Sequence, residues 1–437
     1  MSASRNSERV IHLYNILLLL GGGLVLPVLL AQALTIKKRR ATVMRRLGVG
    51  FHPPRFSTRA IWIHALSVGE VFASVPLVRR IRECYPGRPV VFSVSTMTGN
   101  EMARKLLSSD VDHIFYFPYD FIWSVRRVID GIDPAIFVLV ESDIWPNILF
   151  ELKKREIASI LVNGRMSPGS FSGYKVLSFF MRSVFGNMAM ICVQSPRDAG
   201  LFEAVGAPAD RVRVTGNIKF DLEVLAMSDD ELGRLRRSMK IPVDRRILLA
   251  GSTHEGEETI LLNAFAQLRK RFDDIILLIV PRNPERASDV CDLFASSGWS
   301  TAMTGDQEEI SREGLFDVIV VDTMGMLRQL YALADISFVG GSLVREGGHN
   351  PLEPAAFAKP IIFGPDMSDF PWVAEMLINA GGALQVKGGE EFIEAASTLL
   401  TDGDRARRMG DQALIVFQNN KGAVDRTLEV IEQFLSP

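Results

Sequence analysis

From residue 59 onward the chain repeats one pattern: a short apolar run, a turn of small polar residues, then a stretch of helical period. The first block holds AIWIHA (60–65), PVVFSVS (89–95), AIFVLVE (135–141), SILVN (159–163) and AMICVQ (189–194). After a charged, helix-like bridge at Ser228–Lys240, a second block holds RILLAGS (246–252), DIILLIVP (274–281), DVIVVD (317–322), DISFVGG (335–341) and KPIIFGP (359–365). Strands that are apolar throughout, rather than alternately, are buried on both faces, as in parallel sheets covered by helices. Each block is therefore expected to be a doubly wound α/β domain, and the two together to give a cleft. Ligands bind such sheets at the carboxyl ends of the strands. A length of 437 residues accommodates two domains of this kind, and 47% hydrophobic with 23% charged residues excludes a disordered chain.

The N-terminal segment sets the expected location. Ile16–Ile36 is 21 residues without a charge, about what crosses a hydrocarbon layer roughly 30 Å thick. Ala31-Gln32-Ala33 also fits a signal-peptide cleavage site, and Gly21–Gly23 and Pro27 are compatible with shallow interfacial anchoring. The flanks favour a retained anchor: Lys37, Lys38, Arg39, Arg40, Arg45 and Arg46 follow the run, whereas only Arg5 and Arg9 precede it. Positive charge stays on the cytoplasmic side, which orients the N-terminus outward and the body inward. The same basic cluster suits anionic lipid headgroups.

The formal net charge of -2 conceals a division. Residues 1–220 carry 28 Lys/Arg against 16 Asp/Glu, and residues 221–437 carry 21 against 35. A net of +12 in the first half points to an anionic partner there, with inter-domain attraction as the alternative. Three widely spaced cysteines, Cys84, Cys192 and Cys291, form neither a disulfide framework nor a CxxC pair. They read as buried small residues of a protein in a reducing compartment.

The strand-end turns hold the chemistry-bearing residues. Glu70 of HALSVGE stands at a helix start, either as a base for a sugar hydroxyl or as a first-turn partner of the helix dipole. Glu141 of ESDIWPN closes an apolar run, where a buried carboxylate needs a partner; Lys219 of GNIKFD is the candidate. GSTHEGEE (251–258) has Walker-like glycine spacing but Glu257 where the P-loop has Lys, which rules out an ATP P-loop. Its small residues can still offer backbone N–H groups to a sugar or phosphate. Arg282 of PRNPER suits a bidentate phosphate contact. GGSLVREGGHNPLEP (340–354) reads as a backbone cradle leading into a short helix, with Glu353 able to accept hydrogen bonds from a ribose. The DxD Asp110-Val111-Asp112 lies outside these loops, and no catalytic metal is expected.

WIHALSVGE, ESDIWPN, LVNGRMS, GNIKFD, GSTHEGEE, VPRNPER, DTMG and GGSLVREGGHNPLEP, in this order behind an N-terminal anchor, resemble the 3-deoxy-D-manno-octulosonic acid (Kdo) transferases over residues 10–420 or so. The resemblance implies the GT-B fold, two doubly wound Rossmann-like domains facing across a cleft. It also implies transfer of Kdo from CMP-Kdo to the lipid A precursor lipid IVA at the cytoplasmic face of the inner membrane, with no nucleic acid as partner and no cofactor. By motif, Glu70 matches the family's general base, and Glu141 and Lys219 match residues that stabilise the transition state. Pro281, Arg282, the segment Met324-Gly325-Met326, and Asn350-Pro351-Leu352-Glu353 match segments that contact CMP. The chain departs from the family at Met326, where Glu is usual, and at Asn283, where His is common. The alternative is another membrane-anchored GT-B glycosyltransferase with a different activated sugar. The expected domains are 1–58 (anchor helix at about 16–36 and basic juxtamembrane segment), 59–227 (acceptor side) and 228–437 (CMP-Kdo side). The last helix is a candidate to pack back on the acceptor-side domain.

Overall fold

The structure, a computed structural model, describes residues 10–21, 37–141, 144–221, 227–305 and 315–435. Two compact units emerge: Met1–Leu222 together with Lys421–Pro437, and Glu223–Asn420. The first unit is built on β1 (Ala60–Ala65), β2 (Val90–Val94), β3 (His113–Tyr116), β4 (Pro134–Val140), β5 (Ala158–Gly164), β6 (Met190–Val193) and β7 (Val212–Val214). These pair in parallel in the order β3-β2-β1-β4-β5-β6-β7. The second unit holds β8 (Arg246–Thr253), β9 (Ile275–Pro281), β10 (Thr301–Met303), β11 (Val318–Val320), β12 (Ile336–Val339), β13 (Ile361–Phe363) and β14 (Ala383–Gln385). Their order is β10-β11-β9-β8-β12-β13-β14, again parallel throughout. The ten apolar runs became the ten interior strands. The four that carry no such run, β3, β7, β10 and β14, are the edges.

Alternation along each strand divides the side chains between two cores. In β1 all six residues are buried; Ile61, Ile63 and Ala65 enter one cluster and Ala60 and Trp62 the other. Four helices of the first unit start where a strand-end turn supplies a side-chain cap. Ser67, Thr96, Ser167 and Ser195 accept from Glu70, Gly99, Ser170 and Asp198 N–H respectively, so orphan first-turn donors are satisfied. The helix Ala423–Glu432 completes the first unit, with Val424, Leu428, Ile431 and the following Leu435 buried in its core. At ~1.5–3 kcal/mol per buried side chain, these four contribute on the order of 6–12 kcal/mol before ordering entropy. Asp221 fixes the helix start, accepting from Gly422 and Val424 N–H at 2.6 Å each, and Arg426 Nε donates to the Thr215 carbonyl at 2.8 Å.

A helix over residues 10–21 lies on the same unit. Tyr14 Oη donates to Asp120 Oδ2 at 3.0 Å, and Asn15 and Asn147 exchange side-chain amide hydrogen bonds of 2.9 and 2.7 Å. Asp120 also accepts from Asn147 and Ile148 N–H, at the start of the helix Pro146–Lys154. Among the described residues no helix is long and apolar enough to cross a membrane. Of the expected anchor Ile16–Ile36, residues 22–36 lie outside the described residues. The basic segment forms the helix Lys37–Arg46, whose last residue is committed to tertiary structure: Arg46 stacks on Tyr119 at 4.2 Å and donates to the Phe117 carbonyl at 3.0 Å. Cys192 and Cys291 are buried as expected, but Cys84 is exposed, because it falls on the last turn of the helix Val68–Cys84, past the buried stripe that ends at Ile81.

Candidate active site

In the first unit the strand ends bring a carboxylate and an ammonium together. Glu141 closes β4 in the left-handed region, φ 63°, an uncommon conformation for a residue other than glycine. Its backbone N–H donates to the Val162 carbonyl of the neighbouring strand at 2.8 Å. Lys219, on the 3-10 turn Ile218–Asp221, places Nζ 2.9 Å from Glu141 Oε1, with the two side chains only 20% and 16% exposed. Asn163 links both partners. It is fully buried at φ 57°; its Nδ2 is 3.5 Å from Glu141 Oε1, and its Oδ1 accepts the Ile218 N–H at 3.1 Å. Asn217 Oδ1 accepts the Lys219 N–H at 2.9 Å, and Asn217 Nδ2 donates to Gln194 Oε1 at 3.2 Å. Asn163, Gln194 and Asn217 are the residues that sequence reasoning left out. For Asn163 and Gln194 the available signal was an Asn or Gln at the end of an otherwise apolar run.

Glu70 sits at the end of β1 within its own turn. It is 9% exposed; its Oε2 accepts the Leu66 N–H at 2.6 Å, and the Ser67 hydroxyl lies 3.4 Å from Oε1. The helix-start reading of this residue is thus realised in geometry, and the carboxylate is held as an acceptor at a carboxyl-end loop. Asp110 and Asp112 of the DxD face arginines, Arg79 at 3.6 Å and Arg82 at 2.5 Å. Among the described residues no cluster of three or more His, Cys, Asp or Glu is arranged to hold a metal ion.

In the second unit the loops after β8, β9, β11 and β12 carry the remaining candidates. Glu257, fully buried at the start of the helix Glu257–Arg269, is their anchor. Its Oε2 accepts from His254 N–H at 2.9 Å and Gly341 N–H at 2.7 Å; its Oε1 accepts from Ser342 at 3.0 Å and Leu343 at 2.9 Å. Burial pushes this carboxyl up, and the four donors pull against that shift. The consequence corrects an expectation: the N–H groups of Gly341–Leu343, read as a cradle for a ligand, already hold the chain's own carboxylate. Gly340 is required by close approach, since a Cβ there would lie 2.4 Å from the Ser252 carbonyl oxygen.

Around this framework, the Arg282 side chain is exposed and makes no hydrogen bond or ion pair among the described residues, while its N–H donates to the Thr253 carbonyl at 2.9 Å. The other arginine of the motif, Arg286, is committed to both oxygens of Glu258 at 3.0 and 3.2 Å. Asn283 caps the turn Pro284–Arg286 through the Glu285 N–H. Glu353 has its carboxyl raised by burial, against the lowering charges of Arg328 and Arg282. Asn350 Oδ1 takes the Leu352 N–H at 3.1 Å at the start of the helix Leu352–Ala355. Pro281, Pro351 and Leu352 are buried. Met324 is 63% exposed, Gly325 turns at φ 91°, and Met326 packs against the apolar cluster around Leu330 and Tyr331. In place of the family's usual Glu there is thus an apolar packing residue.

Two parallel-sheet α/β domains of this kind are the architecture of GT-B glycosyltransferases. A glycosyltransferase from Rickettsia africae superposes with a TM-score of 0.60, covering 87% of this chain and 100% of its own at 15% identity. A UDP-GlcNAc 2-epimerase from Neisseria meningitidis gives 0.62, covering 86% and 100% at 14% identity; at such identities the likeness is one of fold. The sequence family described as 3-deoxy-D-manno-octulosonic-acid transferase (kdotransferase) matches residues 40–222. The 3-deoxy-D-manno-octulosonic acid transferase of Haemophilus influenzae is 35% identical over 380 residues, 86% of this chain and 87% of that protein. The chain belongs to the Kdo transferase family and is a glycosyltransferase of lipopolysaccharide synthesis.

Proposed function

We propose that this Kdo transferase takes Kdo from CMP-Kdo and places it on lipid IVA in one inverting displacement, with Glu70 as general base. The observation that carries the reading is the Lys219–Glu141 ion pair of 2.9 Å, built on strand-end loops of the first unit. As the bond from the anomeric carbon to the phosphate oxygen breaks, positive charge grows on the sugar and the electron pair leaves with CMP. A glucosamine hydroxyl of the acceptor attacks from the opposite side and its proton passes to Glu70. Glu141 and Lys219 form a preorganised pair of opposite charges that needs no reorganisation when charge develops. Arg282, with its guanidinium uncommitted, receives the phosphate, and Glu353 and the Met324-Gly325-Met326 turn line the nucleotide. The reaction is assigned no metal. Ile16–Ile36 and the following basic residues hold the enzyme at the cytoplasmic face of the inner membrane, where anionic lipids and the bis-phosphorylated acceptor meet the +12 half. Glu70→Gln tests the base: single-turnover transfer falls at least ~100-fold with CMP affinity unchanged. Near-normal turnover in that variant removes Glu70 from the mechanism.

A further inference from the structure

Two histidines from loops 95 residues apart meet at the strand ends of the second unit. His254 follows β8, and His349 lies in the glycine-rich loop after β12. Their Nε2 atoms are 2.8 Å apart, and the rings lie 14° from parallel with centroids 5.0 Å apart. Such a contact requires one nitrogen to donate and the other to accept, so the pair holds a single proton between its two Nε2 atoms. Both residues are tied to the same framework: the His254 N–H donates to Glu257 at 2.9 Å and the His349 N–H to the Gly340 carbonyl at 3.1 Å.

The charges around the pair come from four loops. Burial above all, and after it the charge of Arg282, after β9, and His254, push the His349 imidazole down to about 3. Glu346, on the His349 loop, lies 3.8 Å from His254 Nδ1. Glu257, after β8, is committed to its four N–H donors. Glu353, beyond His349, feels the charge of Arg282, and Asp366, after β13, takes the Gly347 N–H at 3.0 Å. Among the described residues Arg282 and, on the His349 loop, Arg345 make no side-chain hydrogen bond or ion pair; Arg282 is the one whose charge acts on His349, in a pair that is one proton short of its capacity.

The geometry points to a proton-coupled anion clamp, in which the His254–His349 pair takes up a proton as the phosphate of a cytidylyl donor binds beside Arg282. The inference rests on the reading of the second unit as the donor-binding one. The inter-ring hydrogen bond breaks, the accepting Nε2 gains a proton from solvent, and both N–H groups turn to phosphate oxygens; no covalent bond to carbon or phosphorus changes. The arriving negative charge favours the protonated form against the burial and the field of Arg282 that disfavour it at His349, and charge-assisted bonds replace the inter-ring one.

Isothermal titration of CMP into the full chain near pH 6.5, about the ordinary histidine value, in two buffers of different ionisation enthalpy, counts the protons. The wild type takes up a substantial fraction of a proton more per CMP than either His349→Gln or His254→Gln. Subtracting the variant removes the titration of the phosphate itself. Each variant binds CMP on the order of tenfold more weakly, the worth of one charge-assisted hydrogen bond. The KM for CMP-Kdo rises with pH in the wild type and is flatter in the variants. If His349→Gln does not fold, His254→Gln carries the test. Equal proton counts in wild type and a folded variant overturn the clamp and leave the donor site standing. Absence of CMP binding, or binding untouched by Arg282→Ala, overturns the donor-site reading and the clamp with it.

Discussion

Replacing Glu257 by glutamine keeps the volume and turns one carboxylate oxygen into an NH2 group. Each oxygen now accepts two backbone N–H groups, from His254 and Gly341 on one side and from Ser342 and Leu343 on the other. Whichever way the amide settles, two buried N–H donors face a donor. Leaving a buried donor unsatisfied costs ~1–3 kcal/mol, so the substitution removes on the order of 2–6 kcal/mol. Partial opening of the loop to water lowers that to a central figure of about 3 kcal/mol. Against the ~5–15 kcal/mol that hold a domain folded, the change is large. Urea unfolding of the full chain measures it in the transition of the second unit. Hydrogen exchange locates it: amides of Gly341, Ser342 and Leu343 lose protection first, and CMP affinity falls because the loop that carries His349 is no longer pinned. A loss below ~0.5 kcal/mol with unchanged exchange in Gly341–Leu343 refutes the role of Glu257 as the chain's internal anion.

Lys219→Met leaves Glu141 without its 2.9 Å partner; partial exposure of both side chains limits the stability loss to about 1–2 kcal/mol, while turnover falls ~100-fold or more. Stability measured by urea melts together with single-turnover rates separates the two effects. The His349 imidazole sits at about 3 in the fold, against 6.5 ordinarily, so between those values the unfolded chain binds a proton that the folded unit does not. Its contribution is complete above pH 6.5 and fades as pH falls towards 3; urea melts across that window show a steeper acid loss in the wild type than in His349→Gln. Transfer assayed after exhaustive EDTA treatment proceeds at the untreated rate, and a loss restored by a divalent cation contradicts the metal-free assignment.

The interior of both sheets was legible because a strand with helices on both faces is apolar along most of its length. AIWIHA and DIILLIVP announce themselves without any knowledge of partners. The edges were not, because β3 (HIFY), β7 (VRV), β10 (TAM) and β14 (ALQ) are short, lean on one neighbour, and carry polar residues that an edge tolerates. The approach of Lys219 to Glu141 was within reach of an electrostatic argument, since a carboxylate closing an apolar strand requires compensation. The occupation of the glycine loop by Glu257 was not. Its sequence context showed a phosphate-loop spacing with the wrong residue, and only the fold brings Gly341–Leu343 to it across 84–86 positions. Cys84 illustrates the same limit, because helix period assigns a face but not where the burying neighbour ends.

Mass spectrometry of the lipid product decides whether this enzyme transfers Kdo from CMP-Kdo to a lipid A precursor through Glu70. Full chain in detergent with CMP-Kdo and lipid IVA yields lipid heavier by whole Kdo units, with CMP released in step; Glu70→Gln yields almost none, and UDP-sugars none. Lipid of unchanged mass with CMP-Kdo, or transfer from a UDP-sugar instead, contradicts the account.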